Sequence, residues 1–519
     1  MRRVVVDITV PQQAYNAAKP SRFRAPLTGV SPMGSHADFH YRSEADYLRI
    51  MEWARNTDRN DQIVGQGITR LVDNVLQDGL CVDPDTGIPE ADTYLREKFE
   101  NWGEDAQQCH LAGELTLQEQ AKLVLRAVVV DGDIVVLPTR AGSLQPIEAH
   151  RIRTPRRTTR NVVHGVLMDE NRKRVEYWIT KEDISAERAV HFVNEITPVR
   201  AYDRDGNRQV FHVYNPKRVS QTRGVSTLAP IMDTCGMHDD VQFANLVKQQ
   251  IASCVAFLRE RGADFEGSAP GDYIDSTSET LSGGTTRTVH GVAPGMEITG
   301  AKGEVLKAFS PNIPNAEFFP HAQMIQQFIA INLGLPLQML LLDGRQTNFS
   351  GWRGAVDQAR LGMKSLQCVV MRNRFYRPTY LWKVRDWIAT DPRVRAWANT
   401  AGPRIFQHSW GLPTWAYIQP MDDIGADALA VDEGMNSRRE ILAKRGIRIE
   451  DVDRDQIADR TAFILSALKA TQQINQQFPE AGVTWRDFDQ GGRVKAALAA
   501  LRPQQEPQQS GQEQNSNAV

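Results

Sequence analysis

The fold of this 519-residue chain is decided by one stretch, residues 213–230, which reads VYNPKRVSQTRGVSTLAP. Its first residues end a short apolar strand pattern, and Leu228 to Pro230 open a long helical pattern. Ser226 is a suitable N-cap, and Pro230 falls in the first turn of the helix, where its missing N–H costs little. The stretch therefore marks the point where a β-rich segment gives way to helices.

The segment before this stretch mixes helices and strands. Residues 1–40 show little periodicity and are interpreted as an extended arm. Apolar spacing predicts two helices within 43–77 and further helices at 93–102 and 117–130. Residues 145–214 are β-rich, with alternation typical of half-buried strands.

The helical pattern after the stretch runs from Thr227 to about Arg259. Between Val241 and Leu258 its only full charge is Lys248. A long helix with so few charges is usually packed on most sides. We therefore expect neighbours around most of this helix.

A Gly/Ser/Thr-rich insert at 261–313 separates this helix from a second one at 316–333. Short strands are expected in the insert at 288–292 and 296–299. Gly334 and Pro336 end the second helix. The elements expected after it are a loop at 337–349, a long helix at 350–390, helices near 426–445, 455–478 and 493–501, and a disordered Gln-rich tail at 502–519.

Composition limits the possible partners. The net charge is -2, so no global basic field attracts nucleic acid, and DNA must be held loosely or by a local patch. The sequence contains one basic cluster. It either contacts DNA or acidic neighbours, or it has a structural role as a solvated hairpin surface or in ion pairs between subunits. Its members are Arg151, Arg153, Arg156, Arg157, Arg160, Arg172, Lys173 and Arg174.

The five cysteines are odd in number and form no CxxC pair, which argues against a disulfide framework and against a zinc site. We expect them to be small core residues in a reducing cytoplasm. The N-terminal apolar run is too short for a signal peptide, and no apolar stretch is long enough to cross a membrane.

Sequence patterns of catalysis are missing. The chain has no GxxxxGK[ST] phosphate loop, no HExxH and no GxSxG nucleophile elbow. Its adjacent carboxylate pairs, Asp239-Asp240 and Asp422-Asp423, point in different directions on a helix and make no ready metal pair. We expect no catalytic residue, no metal and no cofactor, and interpret the chain as a non-enzyme.

Two long helices that flank an insert, followed by a polar loop, form an unusual order. With its motifs, the chain resembles the phage portal family, in particular the lambda-like branch. One motif is Gln221-x-Arg223-Gly224-Val225-Ser226. The other is residues 331–336 followed by Asn348-Phe349-Ser350-Gly351-Trp352-Arg353, where Gly351 replaces a usual second serine. The resemblance covers roughly residues 40–480.

The resemblance implies an α+β, mainly helical portal fold with wing, stem, clip and crown regions, assembling as a ring that is usually a dodecamer. By order along the chain, the expected parts are an N-terminal arm (1–40), wing (41–225), first stem helix (226–260), clip (261–315), second stem helix (316–334), tunnel loop (335–349), long wing helix (350–400), wing and crown (401–501) and disordered tail (502–519).

The same resemblance implies a head–tail connector at one capsid vertex of a virion, made in the host cytoplasm, through which DNA is packaged and ejected. The expected partners are sliding double-stranded DNA, further copies of the chain, the terminase large subunit, major capsid and scaffolding proteins, and head–tail adaptor proteins, with no membrane. Another head–tail adaptor ring protein or a DNA-processing enzyme remains as an alternative.

Three sets of site residues follow from it. In the tunnel loop, Arg345, Gln346, Thr347 and Asn348 are expected to face DNA. In the clip, Arg287 and Glu297 are expected to face the motor or connector. The motif residues expected at helix caps are Gln221, Arg223, Gly224, Ser226, Asn348, Ser350 and Arg353.

Overall fold

The computed structural model describes residues 44–155, 162–181, 195–219, 221–253, 256–261, 276–280, 286–290, 304–309, 318–343, 348–415, 420–444, 447 and 449–488. The chain divides into two compact units, Met1–Pro413 and Thr414–Val519. Helices dominate both units, and the sheets are small and antiparallel. This confirms the expected α+β, mainly helical class.

The first unit begins with five helices, of which all but the short fourth one are predicted from the sequence. They are α1 (Glu44–Asn60), α2 (Gln62–Leu76), α3 (Pro89–Glu104), α4 (Ala106–Cys109) and α5 (Leu117–Val130), with strand β1 (Cys81–Pro84) between α2 and α3. Asp61 caps α2, because its carboxylate accepts from the N–H of Ile63 and of Val64 at 2.8 and 3.0 Å. A capping box of Thr116 and Glu119 starts α5 at the predicted residue.

Two antiparallel sheets follow. Their strands are β2 (Asp133–Pro138), β3 (Leu144–Glu148), β4 (Val162–Val163), β5 (Val166–Met168), β6 (Arg174–Thr180), β7 (Ile196–Arg200) and β8 (Phe211–Tyr214). The orders are β3-β2-β8 and β4-β5-β6-β7. Both sheets contribute to one apolar core, in which Val135 and Ile147 of the first sheet join Tyr177 and Ile179 of the second.

The long helix is shorter than predicted. A 3-10 turn at Ala229–Ile231 leads into α6 (Met232–Ser253), and residues 256–261 form strand β9 (Ala256–Arg261) instead of helix. The sequence prediction of helix to Arg259 is therefore wrong over its last residues. A short apolar run fits a helix or a strand equally, and here a distant ladder decides, because Ala256 pairs with Phe309 and Arg261 with Glu304.

The insert contains β10 (Ser276–Thr280), β11 (Thr286–His290) and β12 (Glu304–Phe309), of which β10 pairs with β11 and β12 with β9. Strand β11 overlaps the strand predicted at 288–292. The strand predicted at 296–299 lies outside the described residues.

The next helices are α7 (Phe318–Leu333), α8 (Leu337–Leu341), α9 (Phe349–Ser365) and α10 (Arg377–Thr390). Gly334 ends α7 with a φ of 71°. The predicted loop at 337–349 is corrected at its start, since α8 is helical. The predicted long helix at 350–390 is continuous but π-helical over Leu366–Tyr376. Pro378 follows this segment, and because it lacks an N–H and its ring crowds the preceding turn, it disfavours the regular α-helical hydrogen bonds there.

Helix α11 (Pro392–Ala401) and strand β13 (His408–Gly411) close the first unit, and β13 pairs with β1. Aromatic rings fill the space beside this pair. Phe99 and Tyr380 meet edge to face with centroids 5.4 Å apart, and Tyr376 and Trp410 meet at 5.6 Å.

The second unit contains α12 (Pro420–Asp432), α13 (Arg438–Lys444) and α14 (Ile449–Gln477). The single helix predicted near 426–445 is thus two helices. Gly434, with a φ of 71°, ends the first, and the Ser437 hydroxyl accepts from the N–H of Glu440 at the start of the second. The helix predicted at 493–501 lies outside the described residues.

The cysteines follow the core prediction in part. Cys109 and Cys235 are buried, and burial raises the pKa of these thiols to about 11 and about 12. Cys368 is half-buried, and Cys254 lies outside the described residues. For Cys81 the prediction is wrong, because strand alternation turns it to the exposed face of β1.

Candidate assembly surface and the buried motif

The arginine of the motif at 221–226 is buried in the first unit. Its side chain is 1% exposed. Nε and Nη2 of Arg223 donate to the two carboxylate oxygens of Asp133 at 2.6 and 2.8 Å, and Nη2 donates to the Tyr47 hydroxyl at 2.7 Å. The guanidinium also donates to the carbonyl oxygens of Ala149, Ile152 and His164 at 2.9, 3.2 and 3.0 Å. It therefore joins segments that are far apart in sequence.

Asp133 at the start of β2 is the fully buried counter-ion of this arginine. Its carboxylate also accepts from the Gly224 N–H at 2.8 Å and lies 2.9 Å from Nε2 of His212. Burial alone raises the pKa of this carboxyl, but the Arg223 guanidinium and the donors around it hold the pKa well below its usual range. Asp133 is therefore ionised and paired.

His212 on β8 is the neutral member of the network. Burial lowers its pKa to about 4, against the opposing effect of Asp133. Since Nε2 faces the carboxylate, we assign the proton to Nε2, which leaves Nδ1 to accept from the Tyr177 hydroxyl at 3.3 Å. The network carries one positive and one negative charge and has no net charge.

Gly224 is required by a close backbone approach. A Cβ at this position would lie 1.8 Å from the carbonyl oxygen of Gly132. Only glycine allows the N–H of residue 224 to reach the Asp133 carboxylate there. Arg223 and Gly224 are adjacent in the motif because both donate to the same acceptor, the Asp133 carboxylate.

The remaining motif residues organise the chain on either side. Oε1 of Gln221 accepts from the N–H of Lys217 and of Arg218 at 2.7 and 3.3 Å. The Ser226 hydroxyl accepts from the N–H of Leu228 at 3.2 Å, which caps the turn into α6. The prediction that Arg223 lies at a helix cap is wrong, because its guanidinium donates to Asp133 and to loop carbonyls instead.

The structure describes only part of the second motif and of the loop before it. The Asn348 side chain accepts from the Gly351 N–H at 2.8 Å and is the N-cap of α9. Ser350 is exposed and Arg353 half-buried in the first turns of that helix. Arg345, Gln346 and Thr347 lie outside the described residues, so the predicted channel contact of these residues and Asn348 stays a prediction.

The predicted clip residues are also only partly described. Arg287 lies on β11, where it pairs with Glu279 of β10, and its side chain lies outside the description. Glu297 lies outside the described residues. Docking at this insert stays a prediction.

Sequence reasoning missed Asp133, His212 and Tyr47. The sequence Asp131-Gly132-Asp133 is typical of a turn, yet Asp133 begins a strand of apolar residues that is buried along most of its length. A carboxylate leading directly into such a strand is the available signal for a buried partner. Within the part of the chain that the structure describes, no group of three His, Cys, Asp or Glu side chains could hold a metal ion.

An apolar surface lies on α6 and α7, which pack on each other. On their inner sides Cys235 and Ile329 are buried, and Nδ2 of Asn332 donates to the carbonyl of Thr227 at 2.7 Å. Six large apolar side chains elsewhere on these two helices are exposed, and we call this set the stem face. They are Met237, Phe243 and Leu246 of α6, exposed by 62, 69 and 59%, and Met324, Phe328 and Ile331 of α7, exposed by 43, 50 and 73%. So many exposed large apolar groups on two adjacent helices indicate surface that a partner covers.

The model of one protein family, described as phage portal protein, lambda family, matches residues 27–367. The chain belongs to this family. The match includes the motif at 221–226, the stem face and the start of α9, and it confirms the family predicted from the sequence motifs. No curated protein matches the chain. Within the described segments of this portal-family chain, no helix has both the length and the apolar character needed to cross a membrane.

Solved structures with a similar fold come from gene transfer agent (GTA) particles. One is the virion of a native particle, with a TM-score of 0.43 at 12% identity, covering 78% of this chain and 93% of that one. Another is the neck of an empty particle computed with C6 symmetry, with a TM-score of 0.44 at 12% identity and coverages of 78 and 94%. A third is the neck of a native particle computed with C12 symmetry, with a TM-score of 0.45 at 12% identity and coverages of 78 and 93%. The family assignment rests on the family model alone.

Proposed function

We propose that this portal-family chain forms a ring at one vertex of the virion capsid, through which double-stranded DNA enters and leaves. The observation that carries the proposal is the stem face. Six large apolar side chains on two adjacent helices are left outside the core of a single subunit. A cyclic ring gives each subunit two neighbours and can cover such a surface without leaving an open end.

The energetic gain from this covering is substantial. Full burial of one large apolar side chain contributes roughly 1.5–3 kcal/mol, and each member of the stem face is still about half exposed. Covering six of them therefore contributes on the order of 5 kcal/mol per subunit before the cost of association. A ring repeats this gain at every subunit.

Twelve is the subunit number that we propose for the ring, with the neck of the native GTA particle, computed with C12 symmetry, as the precedent. DNA slides through the channel and is held loosely or only by local patches, which agrees with a net charge of -2. The tunnel loop residues 345–348 face the DNA, and the clip residues Arg287 and Glu297 face the terminase large subunit and later the head–tail adaptor proteins. Capsid and scaffolding proteins contact the outer parts of the ring.

The chain acts as a structural channel and not as an enzyme. A shorter head–tail adaptor is the second candidate, but the family match over residues 27–367 favours a portal. A DNA-processing enzyme is the third. It is disfavoured because the polar network around Asp133 is buried and fully paired, and so offers no group to a substrate.

The ring is tested by a charge on the stem face. Wild-type protein should form annular particles with a central hole in negative stain and a mass of about 700 kDa for twelve subunits. Phe243→Asp should shift the mass toward single subunits, because an unpaired carboxylate at a covered site costs several kcal/mol. Phe243→Leu keeps an apolar side chain and should still form rings.

Circular dichroism of both variants must match the wild type, so that loss of rings reports assembly. Normal rings from Phe243→Asp would show that the stem face is not an interface. Hydrolysis of ATP or cleavage of duplex DNA by purified protein, abolished by a substitution in this chain, would overturn the non-enzymatic role.

A further inference from the structure

A cationic cleft lies in the first unit, apart from the stem face. Strands β6 and β8, the chain before β6 and the π-helical segment 366–376 form its walls, and its volume is about 150 Å³. The lining residues with a positive charge are Arg172, Lys173, Arg174, Arg208 and Arg374, and Tyr177, Tyr202 and Tyr214 stand among them. Among the described residues that line the cleft, none is an aspartate or a glutamate.

Aromatic rings, and not carboxylates, hold these cations in place. Lys173 and Arg208 lie over the Tyr202 ring, at 5.1 and 5.8 Å from its centroid. Arg374 lies over the Tyr214 ring at 4.1 Å. In the described part of the chain, no carboxylate lies within ion-pair distance of these three side chains. Tyrosine faces position a cation without neutralising it, so the charge stays available to a ligand.

Arg174 supplies a buried donor at the floor of the cleft. Its Nη2 donates to the Tyr214 hydroxyl and to the carbonyls of Gln221 and Thr222 at 2.9, 3.1 and 3.0 Å, which fixes the guanidinium. Its Nε is buried and has no hydrogen-bond partner among the described residues. Buried N–H groups generally pair with protein or water, so this Nε can donate to an acceptor that enters the cleft.

His212 is also one of the residues that line the cleft. Its Nε2 faces the Asp133 carboxylate, which is itself paired with Arg223 and does not line the cleft. The negative charge of Asp133 is thus balanced within the core. Among the described residues, Lys173, Arg174, Arg208 and Arg374 therefore face the cleft without a carboxylate that lines it.

We propose that the cationic cleft binds a phosphate group. Guanidinium forks match the oxygen geometry of phosphate, and the four cations Lys173, Arg174, Arg208 and Arg374 exceed what one carboxylate would need. The volume of about 150 Å³, roughly that of five water molecules, is sufficient for one phosphate group. The phosphate is either free inorganic phosphate or a phosphodiester of the duplex backbone, and only the second source rests on the proposed portal function.

Isothermal titration of the full-length chain with inorganic phosphate tests the site directly. The cleft variant is Arg374→Gln combined with Lys173→Gln. Its matched control is Arg200→Gln combined with Arg204→Gln, which removes the same charge from two exposed positions outside the cleft. Wild type and control should bind phosphate saturably with affinities within about twofold, and the cleft variant should bind at least about tenfold more weakly.

A short duplex DNA then identifies the source of the phosphate. If the backbone is the ligand, the cleft variant should lower the slope of log affinity against log salt by about one to two, and the control should lower it less. Equal duplex binding by cleft and control variants, with phosphate binding lost only in the cleft variant, would assign the site to free phosphate.

Three results would overturn the proposal. They are no saturable phosphate binding by the wild type, equal losses in the cleft and control variants, or binding to separate subunits that disappears in assembled rings. The last result would assign the cleft to an acidic group of a neighbouring copy. Phosphate binding by separate subunits does not require assembly, so a failure of the ring proposal leaves this test intact.

Discussion

Replacing the buried arginine of the motif is the most demanding test of this structure. Arg223→Met keeps a long side chain and removes the guanidinium that pairs with Asp133 at 2.6 Å. The carboxylate would stay buried with the weaker donors Gly224, His212 and Tyr47. Three loop carbonyls would lose their donor in the same step.

The expected loss follows from these contacts. Removing one partner of a buried ion pair costs about 3–5 kcal/mol, because an uncompensated charge remains in the core. Orphaned buried carbonyls add to this, though relaxation makes such contributions less than additive. Whole domains are stable by about 5–15 kcal/mol, so we expect a large share of the stability of the first unit to be lost. At about 2.1 cal/mol/K of unfolding entropy per residue, a unit of this length should lose roughly 3–6 °C in melting temperature.

The assay is thermal unfolding of separate subunits followed by circular dichroism, with Arg204→Met as the control at an exposed position. The control should melt within about 2 °C of the wild type. Adding Asp133→Asn to Arg223→Met should recover part of the loss, since the carboxylate charge is then gone. If Arg223→Met melts together with Arg204→Met, the ion pair does not stabilise the junction and the reasoning fails.

Three further outcomes follow from the same structure. The pKa of His212 is lowered to about 4, so between about pH 6.5 and 4 the unfolded chain binds a proton that the folded chain does not bind. The free energy of unfolding should therefore fall by about 3 kcal/mol as the pH drops from about 6.5 to 4. Melting curves of His212→Gln should show a smaller fall over the same pH range. Gly224→Ala should reduce soluble, folded protein severely on gel filtration, since its Cβ would overlap the Gly132 carbonyl, whereas an unchanged yield and melting temperature would contradict the close approach. Asp61→Ala should cost about 1 kcal/mol in urea unfolding by loss of the α2 cap, and Asp61→Asn, which can still cap, should cost little.

Local signals in the sequence were sufficient for most helices. Leu117–Val130 matches the prediction to the residue, because its periodicity and its Thr116 capping box agree. Helix α7 ends at the predicted Gly334, whose positive φ is a local property of the chain. Such features need no knowledge of distant residues.

Predictions failed where distant residues decide. The end of α6 was placed too late because β12 lies about fifty residues downstream and offers a ladder that no local pattern reveals. The residues of the π-helical segment before Pro378 carry no local signal that separates π-helical from α-helical turns, so the sequence predicts only a long helix. The role of Arg223 could not be read locally, since its partners Asp133 and Tyr47 are 90 and 176 positions away.

The two parts of the candidate site differ in how the sequence encodes them. The motif at 221–226 is specific in residue type because Arg223 and Gly224 meet fixed partners, and a lysine at 223 or an alanine at 224 would break that fit. The stem face requires apolar side chains but no particular residue type. A run from Val241 to Leu258 with Lys248 as its single full charge predicts burial on most sides, yet Phe243 and Leu246 remain more than half exposed in the single chain. The composition predicts that these helices are buried, whereas they are exposed in one subunit. The two agree only if other chains cover the helices. The fold of a single subunit therefore does not explain the charge-poor pattern, and assembly with further chains does.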